Sequence, residues 1–188
     1  MPQSVDVHEL LVNQQLLTYC TTMAGTDATF DPATFSLVRK GHSFEDFQVG
    51  QVWTHHWGRT ITAGDNALFS TATCHWSPMY LNVEYARAHD HRDTVVNPML
   101  ALCVAVGLSV EDLSEAGGPF LGVEDCVFHR PLYPGDTMTA RSTVTAVRES
   151  ASRPEAGVVT WHTEAYDQDG ALVLEFHRTN LVARGRRT

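Results

Sequence analysis

The stretch Met99–Leu113, MLALCVAVGLSVEDL, constrains the fold more than any other part of the chain. It is apolar on nearly every side for about three turns, and a helix that is hydrophobic all round is a buried one. Asn97 before it suits the N-cap position, and Pro98 suits the first helical position, where a backbone N–H would be unpaired anyway. Gly117-Gly118 is a stop signal. The pattern predicts one long buried helix over Pro98–Glu115, which needs other elements to cover it.

The residues that follow supply that cover. Phe120–Phe128, Asp136–Glu149, Gly157–Asp167 and Ala171–Val182 are strand-length runs rich in Val, Thr and aromatics. Turn chemistry separates them: Arg-Pro-Leu-Tyr-Pro-Gly-Asp, Ser-Ala-Ser-Arg-Pro and Asp-Gln-Asp-Gly. Upstream, Gln51–Ile61 alternates well enough for a first strand. Thr62-Ala-Gly-Asp65 is a capping box opening a helix that Ser77-Pro78 ends, and Val83–His89 reads as a short helical turn. There is no βαβ rhythm and no repeat. One strand, a helical excursion, a buried helix and four strands describe an α+β chain. In it an antiparallel sheet curls around a central helix, the hot-dog arrangement.

Before that body, Val7, Leu10, Leu11, Gln14, Leu17 and Cys20 outline a short amphipathic helix, followed by a Gly/Thr/Asp/Pro-rich connector. Residues 1–42 are therefore read as a helical extension and residues 43–188 as the domain. A helix this short cannot bury enough surface to stand alone.

Charge and cysteine usage exclude several functions. A formal net charge of -9 speaks against a nucleic-acid or anionic-membrane partner. The cysteines Cys20, Cys74, Cys103 and Cys126 form no close pair, and three of them lie in apolar runs. Buried, reduced thiols are expected rather than disulfides or zinc. With no secretory leader and no apolar stretch approaching about 20 residues, the expected setting is the cytosol.

Four segments carry a family resemblance: Phe44-Glu-Asp-Phe-Gln-Val-Gly-Gln51, Arg59-Thr-Ile-Thr62, Glu84-Tyr-Ala86 and Phe128-His-Arg-Pro-Leu-Tyr-Pro-Gly-Asp-Thr137. In order and spacing they resemble the MaoC-like dehydratases, which include (R)-specific enoyl-CoA hydratases and mesaconyl-CoA hydratase-like proteins. The likeness covers residues 43–183. It implies a hot-dog fold, an acyl thioester substrate on coenzyme A or an acyl carrier, and addition or removal of water across the α,β bond. It implies no cofactor beyond the coenzyme A or phosphopantetheine that the substrate itself carries. Fold analogy adds a homodimer or larger homo-oligomer, with an acyl carrier protein as a partner.

The resemblance also locates a site. Active members carry Gly-Asp-x-Asn-Pro-x-His after the first short helix, where Asp and His work as an acid–base pair on one water. The corresponding stretch here is Cys74-His75-Trp76-Ser77-Pro78-Met79-Tyr80. His75 stands in the Asp position, Ser77 in the Asn position and Tyr80 in the His position. Where the family has His-Gly at the start of the central helix, this chain has Asn97-Pro98, and proline has no N–H to offer a thioester carbonyl.

Hydration of an enoyl thioester needs a base for water, an acid for the α-carbon and a polarised carbonyl. The expectation is therefore His75 as base and Tyr80 as acid or water-orienting group. Asn97, Met99 and the helix N-terminus would form the carbonyl site, with Ser77 and Trp76 beside the substrate. The alternative is that His75 and Tyr80 only fill the vacated pocket. Asp65 and Asn66 read as capping residues, and Ser77 before proline as structural. His55-His56 cannot share a face of one strand, and His89, His91 and Asp93 lie on a polar loop, so no metal site is expected. Ser70 and Ser77 lack a Gly-x-Ser-x-Gly setting, which leaves a serine hydrolase unsupported. Double-bond isomerisation through the same enolate, a hot-dog thioesterase, and a non-catalytic acyl-binding or subunit-forming protein remain competing readings.

Overall fold

The last three C-terminal runs alternate in burial over much of their length, as strands with one covered face should, and all four pair as strands. The computed structural model describes residues 41–185. The extension expected over residues 1–42 therefore lies outside the described residues except for Gly41 and His42. Strands β3 (Phe120–Phe128), β4 (Thr137–Glu149), β5 (Ala156–Tyr166) and β6 (Leu172–Ala183) fall within a residue or two of their expected bounds. With β1 (Val52–Thr54) they form an antiparallel sheet in the order β1-β4-β5-β6-β3, and β2 (Arg59–Thr60) also pairs with β4.

The single strand expected over Gln51–Ile61 is broken in two. Thr54 opposes Arg141 and Arg59 opposes Met138, so five steps on one side match three on the other. This bulge sends His55 into the core, where its side chain is fully buried, and leaves His56 exposed. Gly58 permits the return, because a Cβ there would sit 3.0 Å from the Met138 carbonyl oxygen.

Among the described residues four α-helices precede or cross the sheet. They are α1 (Ala63–Ala72), α2 (Pro78–Leu81), α3 (Val83–Arg87) and the central α4 (Pro98–Leu113). The helix expected to run to Ser77-Pro78 ends earlier, at Ala72. Cys74 adopts a left-handed backbone (φ 58), and Pro78 opens α2 instead of closing α1, with Ser77 as its N-cap.

Helix α4 lays Leu100, Ala101, Val104, Ala105 and Leu108 against Ile61, Met138, Ala140, Ala165, Leu174 and Phe176. Beyond its C-terminal end Phe44, Phe47, Leu113, Val144, Val159, Trp161 and Val182 form a second apolar cluster. Complete burial, however, is not what α4 achieves. Met99, Cys103, Gly107 and Val110, spaced by one turn each, form an exposed stripe on its far side. The cysteine expectation changes with it: Cys74 and Cys103 are free but exposed, and Cys126 is half-buried.

A polar seam runs beneath the second half of α4. His55 Nδ1 donates to Asp112 Oδ2 at 2.7 Å, and its Nε2 accepts from Ser142 Oγ at 2.9 Å. Ser142 in turn meets Thr163 Oγ1 at 2.8 Å. Burial, acting against the attraction of Asp112, holds the His55 imidazole below its ordinary pKa. Arg178 of β6 donates from Nη1 to Ser109 Oγ at 3.0 Å and lies over the Trp161 ring.

Candidate active site

The site is assembled around the cap of α4. The α1 capping box forms as the sequence predicts: the Asp65 N–H donates to Thr62 Oγ1, and the Thr62 N–H donates to Asp65 Oδ2. The Thr62 N–H and hydroxyl, helped by Arg59, hold the Asp65 carboxyl below its usual range. Asp65 is thereby committed to structure.

Once α1 is started in this register, Asn66 and Ser70 share its inner face, one turn apart, and both are buried. Asn66 is a junction. Its Nδ2 donates to the carbonyls of Tyr80 and Val95, both at 3.0 Å, and its Oδ1 accepts the Asn97 N–H at 2.8 Å. One side chain thus ties α1, α2 and the entry to α4 together. Asn66 was read from sequence as a cap and Ser70 only as a rejected nucleophile. The available signal was two polar residues at i and i+4 within a helix that must face the core.

Asn97 is fully buried and saturated. Its Oδ1 accepts the Met99 N–H at 3.0 Å, capping α4. Its Nδ2 lies 3.2 Å from Ser70 Oγ and 3.1 Å from His75 Nδ1. The His75 backbone is fixed as well, its N–H donating to the Ser70 carbonyl at 2.8 Å. The expected carbonyl site at α4 is changed by these bonds. The Met99 N–H and the Asn97 amide are already engaged, Pro98 has no N–H, and the first N–H of the turn without an acceptor among the described residues is that of Leu100.

Tyr80, half-buried on α2, lines a cleft of about 360 Å³ at the start of α4. Met79, Pro98 and Ala101 line it with Tyr80, as do Phe128, His129, Arg130 and Leu132 from β3 and the turn after it. His129 is held from behind: its Nε2 meets Glu175 Oε1 at 2.9 Å, and His162 Nε2 meets the other carboxylate oxygen at the same distance. These contacts, His129's first, keep the Glu175 carboxyl below its ordinary range. No carboxylate lines the cleft among the described residues.

The structure therefore brings His75, Asn97 and the α4 start together and sets Tyr80 in the adjoining cleft. No hydrogen bond joins the His75 and Tyr80 side chains among the described residues; Asn66 and Asn97 link them. Ser77 caps α2 through the Met79 N–H at 3.3 Å, and Trp76 is exposed outside the cleft lining. A second hollow, of about 460 Å³, follows the exposed side of α4 past Trp57, Arg59, Leu100 and Cys103. Among the described residues no group of His, Cys, Asp and Glu is placed to hold a metal.

Known proteins agree with this architecture. A family model described as mesaconyl-CoA hydratase matches residues 26–188. A mesaconyl-CoA hydratase from Haloarcula marismortui is 38% identical over 146 residues, which are 77% of this chain and 41% of that protein. An (R)-specific enoyl-CoA hydratase from Aeromonas caviae is 27% identical over 70% of this chain and 92% of its own length. A solved MaoC domain protein from Chloroflexus aurantiacus superposes with a TM-score of 0.73 at 29% identity, over 81% of this chain and 43% of that one. The chain thus spans about two-fifths of the length of the curated mesaconyl-CoA hydratase, and nearly all of the shorter enoyl-CoA hydratase. With its sheet wrapped on α4 and its capped cleft, the chain belongs to the mesaconyl-CoA hydratase family of MaoC-like hot-dog proteins.

Proposed function

We propose that this chain is a hot-dog module that adds water to, or removes it from, an α,β-unsaturated or β-hydroxy acyl thioester of coenzyme A. The observation that carries the reading is the polar cluster Asn66–Ser70–His75–Asn97 at the cap of α4, whose Asn97 lies in the chain between Val96 and Pro98, two residues that line the Tyr80 cleft. The names of its relatives supply the substrate class: mesaconyl-CoA, β-methylmalyl-CoA and enoyl-CoA are acted on by proteins 27–38% identical to it.

Hydration puts a hydroxyl on the β-carbon and a proton on the α-carbon. It proceeds through an enolate whose charge must be met at the thioester oxygen. In this reading the first turn of α4 and His75 receive the thioester oxygen, and the Tyr80 phenol orients the water. His129 of the cleft, whose Nε2 is engaged by Glu175, takes the water's proton on Nδ1 and passes it to the α-carbon. Expecting His75 to be the base meets a constraint, since Asn97 occupies Nδ1 and leaves only Nε2 for a ligand. Substrate enters without a cofactor, its phosphopantetheine arm lying toward Arg130 at the cleft rim. Coenzyme A is preferred here as the carrier over an acyl carrier protein because the curated relatives are named for CoA thioesters. No helix among the described residues is long and apolar enough to cross a membrane; we place the protein in the cytoplasm.

A second reading has its own support. Among the described residues no carboxylate lines the cleft, and the curated mesaconyl-CoA hydratase is more than twice as long as the matched segment. In that reading this module binds the thioester while a second hot-dog, from another copy or another chain, supplies the base. Turnover of crotonyl-CoA and mesaconyl-CoA by the purified chain separates the two. The first reading expects hydration that falls at least about tenfold in Tyr80→Phe and in His75→Ala. Unchanged rates in both folded variants would remove the pair from the mechanism.

A further inference from the structure

We infer that Asn97 is a positioning residue that locks His75 in its Nε2–H tautomer, making His75 a hydrogen-bond donor to the thioester oxygen. The inference rests on the reading above for the identity of the ligand, but not for the tautomer.

The argument starts from the cap. An asparagine amide has one accepting and one donating end. The accepting end is fixed here because Oδ1 takes the Met99 N–H at 3.0 Å. Rotating the amide would bring its NH2 group against that N–H and remove the cap of the central helix. The donating end is therefore the one facing Ser70 Oγ at 3.2 Å and His75 Nδ1 at 3.1 Å. Nδ1 must accept, so the imidazole proton sits on Nε2.

Each surrounding group enforces this state. Asn97 is fully buried, so water does not compete for its amide. The His75 N–H is tied to the Ser70 carbonyl, which holds the residue against the C-terminal end of α1. His75 itself is exposed, and its Nε2 has no protein partner among the described residues. The one ring atom left to a ligand is thus an N–H.

The ring that carries it is held against Asn97, at a helix start that is short of donors. Pro98 contributes none, and the Met99 N–H is consumed by the cap. A carbonyl oxygen arriving at the start of α4 needs donors placed for the charge that builds on it. Asn97 passes its donor through the ring, so that His75 offers outside the core what Pro98 does not. The step is hydrogen bonding alone, and the proton remains on nitrogen throughout. Asn97 itself touches no substrate.

The tautomer is read directly by two-bond 1H–15N correlation on the full chain with labelled histidine at pH 8, the His75 ring assigned through His75→Gln. The expected spectrum shows a pyridine-type Nδ1 and a pyrrole-type Nε2. Asn97→Asp keeps a cap acceptor for Met99 but replaces the donor by a carboxylate, which demands an Nδ1–H; the two shifts should exchange. A role confined to stability would not exchange them. A wild-type His75 carrying its proton on Nδ1, or an Asn97→Asp ring that keeps its proton on Nε2, would overturn the inference. If Asn97→Asp does not fold, the wild-type spectrum alone decides. Where the chain turns over crotonyl-CoA, Asn97→Asp should also lower kcat by roughly 10²-fold with little change in KM. A chain that turns over no thioester but shows the Nε2–H form would contradict the hydratase reading and leave the tautomer lock standing.

Discussion

A buried histidine and a buried arginine beneath α4 set the pH behaviour and the stability of this chain at the level of single residues. His55 is held neutral inside the fold, its pKa depressed first by burial. The unfolded chain then binds a proton near pH 6.5 that the folded chain refuses, so stability falls as pH drops below about 6.5. Thermal melts from pH 8 to pH 5 should show a falling Tm, and His55→Asn, which cannot titrate, should flatten this component of the curve. Arg178 presents the opposite problem. Burial lowers its pKa to about 10, and among the described residues no protein acceptor meets its Nε or Nη2. An unpaired buried cation is expensive, and an apolar replacement of similar length removes that cost. Arg178→Met should raise stability by about 1–3 kcal/mol in urea unfolding; a loss of that size would show that Arg178 has an ionic role the seam depends on.

Among elements, α4 was the most legible and its surroundings the least. Its start at Asn97-Pro98 and its apolar content could be read directly, because capping and helical burial are local rules. The same was true of β3 to β6, where Val, Thr and aromatic residues alternate between clear turns. The break between β1 and β2 was not legible. It follows from the pairing of both pieces with β4, a non-local fact, and from the drive of His55 toward Asp112 and Ser142. The site shows the same division. Sequence placed His75, Tyr80 and Asn97 in one neighbourhood through a family pattern. It did not reveal Asn66 and Ser70, because a polar residue facing inward from a helix is recognised only once its distant partners are known. The turn after α4 offers a test at this scale. Gly118 sits at φ 133, and a Cβ there would come within 1.9 Å of the Leu181 carbonyl oxygen. Gly118→Ala should therefore cost at least about 2 kcal/mol, measured as a lower urea midpoint, since neither the backbone angle nor the contact can adapt cheaply.

Across the described residues, two groups of exposed apolar side chains gather on single elements. Met99, Cys103 and Val110 line one side of α4, and Phe120, Leu121, Val127 and Phe128 belong to the edge strand β3. An edge strand invites pairing and an apolar stripe invites cover. A homodimer that covers both faces is the proposal at this scale. Light scattering on the purified chain should give the mass of a dimer, and Val110→Glu with Cys103→Glu should yield monomer with intact secondary structure. A monomeric wild type would contradict the homodimer.

The central claim, that the module carries out hydration at the α4 cap, is tested most directly by product analysis of crotonyl-CoA incubated with the 188-residue chain. Mass spectrometry should find the thioester heavier by one water, with no free thiol released, and a rate that collapses in Tyr80→Phe. Release of free coenzyme A, or a substrate returned unchanged by the correctly folded chain, would contradict it.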